Sequence, residues 1–334
     1  MTENSIRAQV LGLAGAHIVA RAVQVVADFG FADMLELSSK TAAELARESG
    51  SDELATYRLL RSLTGHGFFV EGPDGRFSLG PLGMALRSSD PSNLRSAVRA
   101  LGVSGMWNAV GKLSESVRTG RSALLDARSG AMYDHPGSET ARRVRETMVG
   151  FHGDEPDAIV SAYDFGTMRR IVDIGGGVGN LLAAILLANP HLEGILFDLP
   201  ANAEAGRASM QRLGLAGRCQ VIGGDFFASV PEGRDAYVLS HVLHDWPEDQ
   251  ALKIVENCRK AMAPDGCLLI VEDVIADDDR GMEGKAFDLL LLATVEGRVR
   301  RAAEYTAFLS QAGFRIERIV RTTLDIAIIE AVPA

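Results

Sequence analysis

The chain has 334 residues, enough for two domains, and its 47% hydrophobic and 23% charged residues match an ordinary globular composition. A formal net charge of −10 repels phosphate backbones and anionic lipid, so neither nucleic acid nor a membrane is expected as a partner.

From the N-terminus the signals are helical. Residues Ile6 to Val26 carry small and apolar side chains at helical spacing, through Val10, Leu13, Ala14, His17, Ile18, Arg21 and Val25; His17 reads as a core residue. Thr41 caps a short helix, Ala42–Glu48, with Glu44 as its capping-box partner. Asp52 begins another, with Leu54, Leu59, Leu60 and Leu63 expected on its inner face. Residues 71–75, Glu-Gly-Pro-Asp-Gly, form a turn between two extended pieces, Phe68–Val70 and Arg76–Leu79. Helix, helix and hairpin in that order describe a winged helix. After a polar break at Ser88–Asn93, helices are expected as far as Tyr163, interrupted by a Gly/Ser/Asp-rich stretch near Thr119–Gly137.

Beyond Arg169 short apolar runs alternate with helical ones. Ile171–Ile174, Gly194–Phe197, Cys219–Ile222, Ala236–Leu239 and Cys267–Val271 read as buried parallel strands. Helices are expected at Asn180–Ala188, Asn202–Leu213 and Pro247–Ala261. The last two runs, Arg315–Val320 and Asp325–Glu330, leave no room for a helix between them, so they should pair antiparallel at one edge. This is a doubly wound α/β domain.

The first strand ends in Asp173-Ile174-Gly175-Gly176-Gly177-Val178-Gly179, where backbone without Cβ atoms can approach a ligand and a helix N-terminus offers N–H groups. The spacing differs from the GxGxxG of dinucleotide dehydrogenases. Asp173 is unusual in a buried strand and needs a partner, such as a bound ammonium. Asp198 closes the second strand, where a carboxylate can accept from two ribose hydroxyls. Asp225, in Gly224-Asp225-Phe226-Phe227, can accept from an adenine amino group while Phe226 packs on the ring. Any one of these aspartates could be a helix cap; three at successive strand ends on one sheet edge are harder to explain that way.

Val172–Gly179, Phe197-Asp198-Leu199-Pro200, Gly224–Phe227 and His241-Val242-Leu243-His244-Asp245-Trp246 resemble the successive motifs of the plant caffeate/flavonoid-type O-methyltransferases, and the bacterial natural-product branch of that family is the closer comparison. The resemblance covers essentially the whole chain. It implies a Rossmann-like, seven-stranded methyltransferase domain over residues 166–334 with its last strand antiparallel. It also implies a winged-helix dimerisation domain over 1–90, a helical connector over 91–165, and a homodimer. S-adenosylmethionine is the implied cofactor, held by Asp173, Gly175, Gly177, Asp198, Leu199, Asp225, Phe226 and Ser240; Ser240 stands where relatives often have lysine or arginine.

The same resemblance makes His244 the general base and Glu272 the acid that hydrogen-bonds and orients it. A phenol with a pKa near ~10 is a poor nucleophile at neutral pH, and a histidine near ~6.5 can take its proton during attack. Asp273 should point to the other side of the strand. Relatives carry a second orienting Glu where this chain has Val299, in Glu296-Gly297-Arg298-Val299-Arg300-Arg301, and Glu296 is expected to face elsewhere. The implied acceptor is a flat aromatic molecule against Trp107, Met148, His152, Asp245, Leu290 and Thr294, with Met106, Phe151 and Leu291 nearby.

Two other classes fit the sequence less well. From Lys40 to Asp90 six basic residues face seven acidic ones, which argues against a DNA-reading winged helix. The glycine spacing argues against a nicotinamide dehydrogenase. Methyl transfer to nitrogen or carbon, or decarboxylase- or hydroxylase-like chemistry on the same fold, is the alternative reaction. No histidine spacing suggests a metal site, and Asp277-Asp278-Asp279 reads as a solvated turn. Cys219, Cys258 and Cys267 form no CxxC pair, the N-terminus lacks a signal-peptide pattern, and apolar stretches such as Leu289–Ala293 are too short to span a bilayer. The expected compartment is the cytoplasm.

Overall fold

The computed structural model describes residues 3–92, 94–124, 151–276 and 282–334. They form two compact units, one running to Trp107 and including 151–153, the other holding 108–124 and everything from Asp154 onward.

The first unit begins with a long helix, α1 (Glu3–Phe29), and a single turn, α2 (Phe31–Met34). The winged helix follows as β1 (Lys40–Thr41), α3 (Ala42–Ser49), α4 (Glu53–Thr64), β2 (Phe69–Glu71) and β3 (Arg76–Leu79), the strands pairing in the order β1-β3-β2. Short helices α5 (Pro81–Met84), α6 (Leu94–Leu101) and α7 (Ser104–Gly111) come next, the division between the units falling within α7 after Trp107. The capping box forms as expected: the Glu44 N–H donates to Thr41 Oγ1 at 3.2 Å and the Thr41 N–H to Glu44 Oε2 at 2.7 Å. The Asp52 carboxylate caps α4 through the Ala55 N–H at 2.8 Å. Leu60 and Leu63 enter a core with Val26, Phe31, Leu45, Phe69 and Phe77.

Three expectations for this unit need correction. Leu54 is exposed, because the first turn of α4 lies outside that core. His17 is exposed rather than core, its Nδ1 lying 3.0 Å from the Ala14 carbonyl oxygen. The apolar character of α1 is longer than any run noticed in the sequence. Ser5–Phe29 has a mean hydropathy of 1.7 and, by length and composition alone, could cross a membrane. Between Arg7 and Arg21 no residue of α1 is Asp, Glu, Lys or Arg. Ile6, Val10, Leu11, Leu13 and Ile18 are all exposed along it.

The second unit opens with α8 (Leu113–Thr119) and α9 (Glu155–Ala162). It is then built on β4 (Arg170–Ile174), β5 (Glu193–Asp198), β6 (Cys219–Gly223), β7 (Ala236–Ser240), β8 (Cys267–Ile275), β10 (Phe314–Arg321) and β11 (Ile326–Pro333), ordered β10-β11-β8-β7-β4-β5-β6. β11 runs antiparallel to both neighbours; β4–β8 are parallel, as anticipated. A two-residue strand, β9 (Arg300–Arg301), adds to the end of β8.

The helices are α10 (Asn180–Ala188), α11 (Pro200–Arg212), α12 (Glu248–Ala261), α13 (Met282–Thr294) and α14 (Ala302–Gln311). Both sheet faces are covered. Leu268 and Ile270 of β8 enter one core with Tyr237 and Phe308, while Leu269 and Val271 enter the other with Leu182 and Leu196. The site lies at the carboxyl ends of these parallel strands, where an open α/β sheet binds its ligands.

Candidate active site

The glycine run folds as a tight turn because Gly175, Gly177 and Gly179 all take positive φ (73°, 59° and 84°), conformations costly for other residues. Gly175 N–H donates to the Phe197 carbonyl at 2.8 Å. A Cβ on Gly175 would press on Val242 and approach the Phe226 ring, whereas one on Gly177 would meet nothing within 4 Å. The run is therefore closed on one side and open on the other, the shape of a ligand cradle.

Asp198 ties this turn to the end of β5. Its Oδ2 accepts from the Gly177 N–H at 2.7 Å, and its Oδ1 accepts from the Leu199 N–H at 2.6 Å and Asn202 Nδ2 at 2.8 Å. Asp173 is different. It is 2% exposed, and neither carboxylate oxygen has a hydrogen-bond partner. Burial, with the Asp198 charge adding to it, pushes its carboxyl up to about 7. A buried carboxylate left this way calls for a cationic or hydrogen-donating partner, so these residues fit the ammonium-bearing cofactor implied by the sequence motifs.

Asp225 is exposed, two residues beyond β6, and its Oδ1 accepts from the Phe227 N–H at 2.8 Å. Phe226 and Phe227 meet the Trp246 ring edge-on at 5.9 and 4.8 Å between centroids. Asn257 of α12 locks this aromatic group, donating to the Phe226 and Phe227 carbonyls at 2.8 and 3.0 Å. Nothing in the sequence pattern singled out Asn257. Ser240 is half-buried at the end of β7.

His244 sits in a one-turn helix, Leu243–Asp245, just past β7, and is 5% exposed. The ring contacts Phe287 edge-on at 5.4 Å and lies 5.5 Å from the His241 ring. His241 itself has a positive φ of 53°, and its Nε2 lies 2.7 Å from Glu155 Oε2. His244 Nε2 is 3.6 Å from Asp245 Oδ1.

The resemblance implied a hydrogen bond from the imidazole to Glu272; the geometry is otherwise. Glu272 Oε1 accepts from the His244 backbone N–H at 3.1 Å, while Nδ1 stands 3.9 Å from that oxygen and has no partner. Glu272 is fully buried, and its Oε2 accepts from the Tyr305 hydroxyl. Sequence reasoning missed Tyr305, which lies 33 residues away on α14. It also missed Gly297, where a Cβ would overlap the His244 carbonyl oxygen. Asp273 follows Glu272 on β8 and is half-buried. Burial pushes its carboxyl up to about 6, and the His244 charge acts in the opposite direction.

Val299 is buried, with its N–H on Asp288 Oδ1 at 2.8 Å. Glu296 does face elsewhere: it accepts from the Ser122 N–H at 3.2 Å and lies 3.6 Å from Arg121. Among the expected acceptor contacts, Thr294 is buried with its hydroxyl donating to the Leu290 carbonyl at 2.7 Å, and Leu290 and Asp245 are half-buried. Trp107 and His152 belong to the first unit, where the Arg21 guanidinium lies 5.6 Å from the Trp107 ring. Met148 and Asp277–Asp279 lie outside the described residues.

The O-methyltransferase domain family matches residues 112–315 of this chain. A phenazine O-methyltransferase from Lysobacter antibioticus is 34% identical, over 100% of both chains. An 8-amino-8-demethylriboflavin N,N-dimethyltransferase from Streptomyces davaonensis is 37% identical, over 89% of this chain and 87% of its own. The crystal structure of an O-methyltransferase from neocarzinostatin biosynthesis, in complex with S-adenosylmethionine and 2-hydroxy-5-methyl naphthoic acid, superposes with a TM-score of 0.82 at 30% identity, over 95% of this chain and 96% of that one. With a glycine cradle, an unmet buried acid and a histidine at one sheet edge, this chain belongs to the S-adenosylmethionine-dependent O-methyltransferases of the plant type.

Proposed function

We propose that the enzyme methylates a hydroxyl of an aromatic small molecule, with His244 as the base that takes the hydroxyl proton. The observation that carries this reading is the buried His244 ring with an unmet Nδ1, just past a strand of the sheet whose carboxyl edge also carries the glycine cradle. Asp173, Gly175, Gly177, Asp198, Leu199, Asp225, Phe226 and Ser240 would hold S-adenosylmethionine, which supplies an electrophilic methyl group. Proton removal by His244 makes the acceptor oxygen nucleophilic as it attacks, and Glu272 fixes the backbone that carries the ring. Holding the reactants in contact and keeping water out supplies much of the acceleration. Asp245, Leu290 and Thr294 are the proposed acceptor contacts in this unit.

Methyl transfer to an aromatic amine is the second reading, favoured by the N,N-dimethyltransferase relative. An uncharged amine already carries its lone pair and does not need His244 to start the attack. Incubation with methyl-labelled cofactor and a panel of phenols and aromatic amines, scored by product mass, separates the two. Label in phenols that disappears in His244→Ala supports the base assignment. Label in amines alone, unaffected by that change, replaces it with the second reading.

The proposed division of labour is dimerisation by residues 1–90, connection by 91–165 and catalysis by 166–334. The exposed apolar side chains of α1, from Ile6 to Ile18, suit burial against a second copy. The three buried free thiols suit a reducing compartment, and we place the enzyme in the cytoplasm.

A further inference from the structure

Glu272 is a carboxylate with no solvent exposure and, among the described residues, no arginine or lysine bonded to it. Its two oxygens are nonetheless used. One accepts from the His244 backbone N–H at 3.1 Å, the other from the Tyr305 hydroxyl. A buried carboxylate that lost either donor would have an unmet oxygen, and would turn toward another donor or take up a proton. The imidazole Nδ1 of His244 stands 3.9 Å from Oε1.

Tyr305 is itself held rigidly. It is fully buried, and the fully buried Arg300 guanidinium lies 5.9 Å from its ring centroid and 4.6 Å from that of Phe308. Arg300 is anchored in turn by Glu248 at 2.8 Å and by the pairing of β9 with β8. Burial and the neighbouring Glu272 charge raise the phenol well above its usual range, with Arg300 acting against them, so the hydroxyl stays protonated and can only donate to the carboxylate.

We propose that Tyr305 is the second positioning residue of this active site. Its hydroxyl fixes one Glu272 oxygen, so the other stays on the His244 amide and the imidazole is presented without a hydrogen bond to that acid. The position where relatives have a second glutamate is occupied here by Val299, and the orienting contact comes from α14 instead. This inference rests on the reading of His244 as the base.

The test is a kinetic cycle of Tyr305→Phe, Glu272→Leu and the double variant, with His244→Ala measured alongside. Tyr305→Phe keeps the ring and removes only the donor. It should lower kcat about tenfold, as loss of one charge-assisted hydrogen bond would, with KM for the cofactor unchanged. In the Glu272→Leu background the same change should cost less than about twofold, because the hydroxyl then has no carboxylate to hold. Wild-type kcat in Tyr305→Phe, or an equal fold-loss in both backgrounds, overturns the proposal. If Tyr305→Phe does not fold, recovery of folding in the double variant supports the pairing and failure to recover overturns it. An active His244→Ala would instead sink the base assignment, whereas an inactive His244→Ala beside a wild-type Tyr305→Phe removes only this inference.

Discussion

The Glu272 carboxylate meets His244 at the main chain: Oε1 accepts from the backbone N–H at 3.1 Å and stands 3.9 Å from Nδ1. An acid placed this way fixes where the imidazole is, and contributes less as a direct partner of the charged ring.

That distinction predicts a graded response. Glu272→Gln keeps an oxygen that can accept from the His244 amide and should lower kcat by about tenfold. Glu272→Leu removes the acceptor and should cost about a hundredfold, within the range spanned by general-base effects. Equal losses in steady-state assays of the two variants would mean that the charge, not the acceptor, is what His244 needs.

Gly297 provides a second route to the same backbone. A Cβ there would overlap the His244 carbonyl oxygen, and main chain cannot step aside as a side chain can. Gly297→Ala should destabilise the enzyme by roughly 1–3 kcal/mol and reduce kcat more than tenfold. Thermal melting and initial rates check both; an unchanged kcat would show that the one-turn helix carrying His244 tolerates displacement.

Asp173 ties stability to pH. Its carboxyl, at 3.8 when exposed, is raised to about 7 in the fold. The folded chain then binds a proton that the unfolded chain releases, and the ligand-free protein should lose stability as pH rises from about 4 to about 7. Asp173→Asn should flatten that part of the curve and weaken binding of S-adenosylhomocysteine, since its ammonium loses a charged partner. Melting curves across pH that keep the wild-type slope in this variant would assign the slope to another group.

For α1 the prediction concerns assembly. Leu13 is 80% exposed in the isolated chain, so Leu13→Glu costs nothing within it and should disrupt a dimer that buries this face. Light scattering should read a dimer for the wild type and a monomer for the variant. A monomeric wild type would leave α1 without the partner proposed for it.

The residues that carry the fold were legible wherever local chemistry decides structure. Thr41 with Glu44, Asp52 before α4, and the apolar runs of β4 to β7 all announce themselves within a few positions. β8 runs four residues past its expected end because Glu272 and Asp273 interrupt the apolar pattern, although the strand continues through both. The glycine run and Asp198 were visible for the same local reason.

What could not be read were contacts closed by the tertiary fold. Tyr305 reaches Glu272 from 33 residues away, Asn257 reaches Phe226 from 31, and β9 is too short to leave a pattern. Arg300, in the run Arg298-Val299-Arg300-Arg301, is fully buried against Phe308 and paired with Glu248, contacts that its neighbours in sequence do not reveal.

The central claim is that His244 takes the proton of the acceptor hydroxyl. Its most direct measurement is single-turnover methyl transfer to a phenol that the wild-type enzyme accepts, comparing wild type with His244→Ala at saturating cofactor and acceptor. The rate in the variant should be lower by about 10² to 10⁴, with S-adenosylhomocysteine binding unchanged. A near-wild-type rate in His244→Ala would contradict it.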